Sequence, residues 1–152
     1  MKTMLWLAAC ALAAGCTATN HVTPETMQIA TAPLVCRNAD ECAVWWHRAH
    51  DWVTRHSAYK VETATDSLIE SAGPEGGSGK LAYQITKTAN ADGSATIGFA
   101  AHCDSMLGCR PDPWQAGAAF KQFVKTGTEK PLQLAPDAPT PASETGGAKD
   151  QG

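Results

Sequence analysis

The chain has 152 residues, 43% hydrophobic and 18% charged, with 12 Lys and Arg against 15 Asp and Glu and a formal net charge of -3. That describes one modest domain. Beyond the amino terminus no stretch approaches the ~20 apolar residues of a membrane-spanning helix, and the acidic balance gives no electrostatic case for nucleic acid.

The amino terminus carries a positive residue, Lys2, then a short apolar stretch from Met4 to Leu12, then Leu12-Ala13-Ala14-Gly15-Cys16. A short apolar run ahead of small residues is the pattern of a secretory signal peptide. The Leu-Ala-Ala-Gly-Cys segment matches a lipobox, and here the chain resembles bacterial lipoproteins. That resemblance implies lipidation of Cys16 (palmitate and related acyl chains), cleavage before it, and anchoring in a membrane leaflet by two or three chains, enough for stable attachment. Residue 17 is Thr rather than the Asp that retains such proteins in the inner membrane of enteric bacteria, so the expected place is the periplasmic face of the outer membrane. The plainer alternative is an ordinary cleaved signal peptide with a stray thiol.

The expected divisions are a signal peptide over 1–15, a lipidated tether over 16–35, a folded unit over 36–127, and a disordered tail over 128–152. The tether is assigned because Thr17 to Pro33 is rich in Thr, Ala and Pro with little hydrophobic periodicity. Pro131, Pro136, Pro139 and Pro141 among Ala, Thr, Glu and Gly mark the tail. No internal repeat is present.

The folded unit opens with a helix predicted over 39–56. Asn38 caps it and Glu41 stands three residues on, in a capping box. Cys42, Trp45, Trp46, Ala49, Trp52 and Val53 recur at spacings of three and four and form one apolar face. After Ser57 the period falls to two. Short strands are predicted around Tyr59 to Thr63, Ser67 to Ala72, Leu81 to Thr86 and Ala95 to Ala100, the last two joined through Asp92-Gly93, a hairpin signal. A closing helix has Asp112 as cap, Pro113 at its first position, Ala116, Ala119, Phe120, Phe123 and Val124 on its apolar face, and Gly127 as its stop. The predicted fold class is α+β, a four-stranded antiparallel meander with a helix before and a helix after (α-β-β-β-β-α), both on one face of the sheet.

With Cys10 in the leader and Cys16 on lipid, Cys36, Cys42, Cys103 and Cys109 remain, an even set for an exported protein. In an up-and-down meander Cys103 lies at the end of the sheet opposite Cys42, farther away than the ~7 Å limit for a bridge. The expected pairs are therefore local, Cys36 with Cys42 and Cys103 with Cys109. A zinc site usually spaces its Cys pairs by two to four residues, and a thioredoxin-like site needs Cys-x-x-Cys; five residues lie between the members of each pair here.

Several residues suggest chemistry. His47, His50 and Asp51 fall within about one helical turn and are metal candidates, but they lack the His-Glu-x-x-His pattern. The plainer reading is a polar helix face with an i,i+4 pair, so no metal and no cofactor is expected. Gly73-Pro74-Glu75-Gly76-Gly77-Ser78-Gly79-Lys80 has the look of a phosphate loop, yet Leu81 stands where Ser or Thr belongs and a strand follows; it reads as a flexible hairpin loop. His102-Cys103-Asp104-Ser105 reads as a turn closed by a disulfide rather than a nucleophile site. Neighbouring Trp45 and Trp46 point ~100° apart on a helix, so Trp46, together with Trp114, is a candidate aromatic patch for a partner.

The Cys-to-Cys core, with its Glu41-Cys42 to Trp46 helix, resembles small proteobacterial lipoproteins, a likeness that implies no particular activity. The expectation is a non-catalytic, lipid-anchored accessory of the cell envelope that binds the membrane through Cys16 and an envelope protein or glycan through its surface. The alternatives are an inhibitor of an envelope-directed enzyme, for which the Cys103 to Cys109 loop is the better-ordered candidate, and a metal-dependent enzyme using His47 to Asp51.

Overall fold

A computed structural model describes residues 22–129; the leader, Cys16 and the tail from residue 130 lie outside them. In chain order the elements are α1 (Pro24–Thr31), β1 (Val35–Cys36), α2 (Ala39–His56), β2 (Val61–Ala64), β3 (Leu68–Ser71), β4 (Ala82–Ala89), β5 (Ala95–His102) and α3 (Pro113–Thr126). The fold is α+β with one antiparallel sheet, ordered β1-β5-β4-β3-β2.

The four expected strands form the meander, but the sheet has five strands and the fold three helices. The additions come from the segment read as tether. Thr23, in extended conformation, caps α1 by accepting the Thr26 amide, and Pro24 sits where its missing N–H costs nothing. Three residues later β1 pairs with the start of β5, Val35 opposite Thr96 and Cys36 opposite Ala95. The folded unit therefore begins near Thr23, not at Cys36. A two-residue strand has no period to detect, and α1 is held by its neighbour rather than by an apolar stripe of its own. Ala30 lies against Gly117 of α3, and the Lys121 ammonium donates to the Ala30 and Ala32 carbonyls at the carboxyl end of α1.

The helices α2 and α3 start where their caps predict. Asn38 accepts the Glu41 amide at 2.9 Å. The reciprocal bond of the expected capping box goes one residue earlier: the Glu41 carboxylate accepts from the Arg37 amide at 2.7 Å and from its guanidinium. These bonds hold the Glu41 carboxyl below the usual carboxylate range. Asp112 accepts from Trp114 and Gln115, and α3 stops at Gly127, whose φ of 72° is left-handed and costs glycine no Cβ strain. Arg48 of α2 donates to the Val124 and Lys125 carbonyls, satisfying acceptors at the end of α3.

The helices cover one face of the sheet. Along β4, Tyr83 and Ile85 are buried while Gln84 and Thr86 are exposed; along β5, Ile97 is buried. Trp52 stands edge-on to Tyr83 and Phe120 at 5.3 and 5.4 Å between ring centroids, and Phe99 completes the aromatic cluster. The other face, with Gln84, Thr86, Thr88, Ala100 and His102, is open.

Cys36 pairs with Cys42 and Cys103 with Cys109, with Cα atoms 5.1 and 5.6 Å apart. The first pair sits where β5 begins and the second follows its end, so about 25 Å of strand lies between them.

Candidate functional site

Two surfaces concentrate chemistry, and they lie toward opposite ends of the domain. The first is built where α2 ends, β5 ends and α3 begins. Strand β5 delivers Cys103, the disulfide closes a loop to Cys109, and the loop is tied to the preceding Gly73 to Lys80 segment. The Asp104 amide donates to Ser78 O at 3.1 Å, and the Arg110 amide to Gly79 O at 2.8 Å. Tyr59 anchors the Gly73 segment, in contrast to the flexible hairpin loop its sequence suggests: the Tyr59 hydroxyl accepts the Glu75 amide and bonds Ser78 Oγ at 3.0 Å, and its ring packs against Gly73. At the apex of the disulfide loop, Met106 and Leu107 are 104% and 94% exposed. Trp114, in the first turn of α3, is 46% exposed.

Between the end of α2, β4 and the start of α3 is a cavity of about 230 Å³ lined by Trp52, His56, Tyr83, Pro111, Gln115, Ala116 and Ala119. The His56 ring stacks on Trp52 at 4.3 Å, donates through Nδ1 to the Trp52 carbonyl, and places Nε2 at 3.4 Å from the Glu129 carboxylate. Burial pushes the Tyr83 phenol up to about 12, so it stays neutral at physiological pH.

The second surface is a groove between α2 and the β2–β3 turn. Trp46 forms its wall, donating from Nε1 to Thr65 O at 3.0 Å, with the Lys87 ammonium 4.9 Å above its ring. His47, His50 and Asp66 also line it. His47 Nδ1 lies 3.1 Å from Asp51 Oδ2, an exposed i,i+4 pair, while His50 is half-buried and turned to the Trp46 side. Among the described residues no group of three His, Cys, Asp or Glu side chains gathers at metal-binding distance.

The expected aromatic patch is not one surface. Trp46 stands beside the β2–β3 turn and Trp114 at the opposite end of the domain, where α3 starts. Trp45 is half-buried against the Cys36–Cys42 pair, and Trp52 belongs wholly to the core. Of His102 to Ser105, Cys103 is committed to its disulfide and His102 is exposed at the end of β5. Sequence reasoning passed over Met106 and Leu107. Their signal is two apolar residues inside a Cys-x5-Cys loop, too short to fold back and cover them. Compared with known protein families, curated proteins and solved structures, the chain matches none.

Proposed function

We propose that this protein is a lipid-anchored accessory of the bacterial cell envelope, attached through Cys16 to the periplasmic face of the outer membrane and acting by binding rather than catalysis. The observation that carries the reading is the Leu12-Ala13-Ala14-Gly15-Cys16 segment, followed within a few residues by a domain stapled by two disulfides. Disulfides persist in oxidising compartments such as the periplasm, so signal and domain agree on the address. The Trp46 groove is the surface offered to an envelope protein or glycan: an aromatic wall capped by a lysine ammonium, with His47, His50 and Asp66 at its rim, supplies apolar contact, charge and hydrogen bonding together.

The test is Cys16→Ser. The full chain should incorporate labelled palmitate and sediment with outer membranes, and the variant should appear in the soluble periplasmic fraction without label. Unchanged partitioning would overturn the anchor. The second reading, an inhibitor of an envelope-directed enzyme, is favoured by the tied Cys103 to Cys109 loop, since a pre-organised loop loses little entropy on docking.

A further inference from the structure

We propose that the cavity between the end of α2, β4 and the start of α3 is a binding site for a small neutral ring compound bearing a carbonyl or similar acceptor oxygen, to which the Tyr83 hydroxyl donates. The site is separate from the Trp46 groove and does not depend on attachment at Cys16.

The observation that carries it is a buried donor with nothing to donate to. Tyr83 is 2% exposed. Its backbone amide donates to Ser71 Oγ at 2.9 Å, but among the described residues its hydroxyl has no partner, and burial alone holds its pKa up. Tyr59 makes the contrast, since its hydroxyl meets both the Glu75 amide and Ser78 Oγ. No fully enclosed side-chain nitrogen or oxygen of the described residues goes unpaired, so the Tyr83 hydroxyl touches open space, and the cavity is the open space that Tyr83 lines. The same reasoning applies to the indole N–H of Trp52, which is also 2% exposed and without a partner among the described residues. A donor shielded from bulk water gains more from an acceptor than one at the surface does, so a ligand oxygen is favoured here.

The walls set the rest of the ligand. Tyr83 stands at 79° to Trp52 and His56 lies nearly parallel to it at 13°, so a bound ring finds both faces and edges to pack against. On α3 the wall is Ala116 and Ala119, one turn apart, whose short side chains leave space that a larger residue would fill. The cavity, at about 230 Å³, exceeds the roughly 150 Å³ at which an apolar protein cavity already takes benzene. No Lys, Arg, Asp or Glu lines it, and His56 is engaged at Nδ1 by the Trp52 carbonyl and turns Nε2 toward Glu129. A charged ligand would be buried there without a counter-charge, which selects a neutral one. Entry is beside His56 and Pro111, both exposed, with Trp52, Tyr83 and Ala116 buried behind them.

The test titrates acetophenone and its hydrocarbon isostere α-methylstyrene into the isotope-labelled chain, isolated as Cys16→Ser with both disulfides formed, and follows binding by NMR. Acetophenone should bind saturably, shift the Trp52 indole N–H and give Overhauser contacts to the Ala116 and Ala119 methyls. Tyr83→Phe removes only the hydroxyl. It should weaken acetophenone about tenfold, the upper range for one neutral hydrogen bond, and leave α-methylstyrene within about twofold. Because the hydroxyl bonds nothing in the free protein, Tyr83→Phe should also keep the urea midpoint of the parent chain. Ala119→Leu fills the space and should abolish binding of both compounds. Absence of saturable acetophenone binding, Overhauser contacts elsewhere, or binding that survives Ala119→Leu would overturn the site. Equal weakening of both compounds in Tyr83→Phe, or a clearly lower urea midpoint for that variant, would overturn the role of the hydroxyl and with it the oxygen-bearing ligand.

Discussion

Lys121→Met tests whether α1 belongs to the folded domain. The Lys121 ammonium donates to the Ala30 and Ala32 carbonyls at 2.5 and 2.6 Å, so one side chain of α3 closes the carboxyl end of a helix about ninety positions earlier. Hydrogen bonds from a charged donor contribute about 1.5–3 kcal/mol each when well shielded. Here the gain is smaller, because the group is only partly buried and that burial, with the Lys125 charge as a lesser cause, pushes its pKa down. The two bonds together should contribute about 1–2 kcal/mol after that discount. Methionine keeps the stem and removes the donor. If α1 opens as a local unit, hydrogen exchange of its amides, including that of Ala32 bonded to Gln28 O, should quicken by about tenfold, the factor for ~1.4 kcal/mol. The β4 and β5 amides should slow or quicken far less. Unchanged exchange in α1 would refute the claim that Lys121 holds it, and equal acceleration everywhere would refute its opening as a separate unit.

Two further outcomes follow from packing and from charge. Phe120→Ala empties a fully buried ring site against Trp52 and Phe99 and should cost about 3–5 kcal/mol in urea unfolding with the disulfides intact; a loss below about 1 kcal/mol would mean that the aromatic cluster is not the core. The Asp92 carboxylate accepts from the Ser94 hydroxyl and amide, which holds its pKa below the ordinary carboxylate value. Because the folded value is the lower one, its contribution to stability is present above the unfolded pKa and is lost as pH falls through the folded one. Carboxyl NMR titration should find Asp92 low in the native chain and raised part of the way toward its ordinary value in Ser94→Ala, where the amide bond remains; a normal value in both would refute the bonds.

Several elements were readable locally because their causes are local. The starts of α2 and α3 follow from Asn38 and Asp112, the end of α3 from Gly127, and the β4–β5 hairpin from Asp92-Gly93, since caps and turns are decided by residues within a few positions of one another. The disulfide pairing was accessible for a different reason: alternation of strand direction separates the two ends of the sheet, and covalent geometry does not bridge them. Position along an element was harder to read. Trp46 and Trp114 are both partly exposed aromatics, but which end of the domain each occupies depends on the meander between them.

What the sequence determined by itself is therefore the α+β class, the order of the meander, both long helices with their caps, and the two staples. Only the tertiary structure decided that residues 24–35 belong to the fold, because α1 is held by a lysine and a glycine of α3 and β1 by an edge of β5. It also decided that Met106 and Leu107 stand uncovered, for a side chain's exposure depends on what the rest of the chain brings next to it. Periodicity and capping record the energetics of neighbours in sequence, whereas docking and exposure depend on partners that the chain supplies from far away.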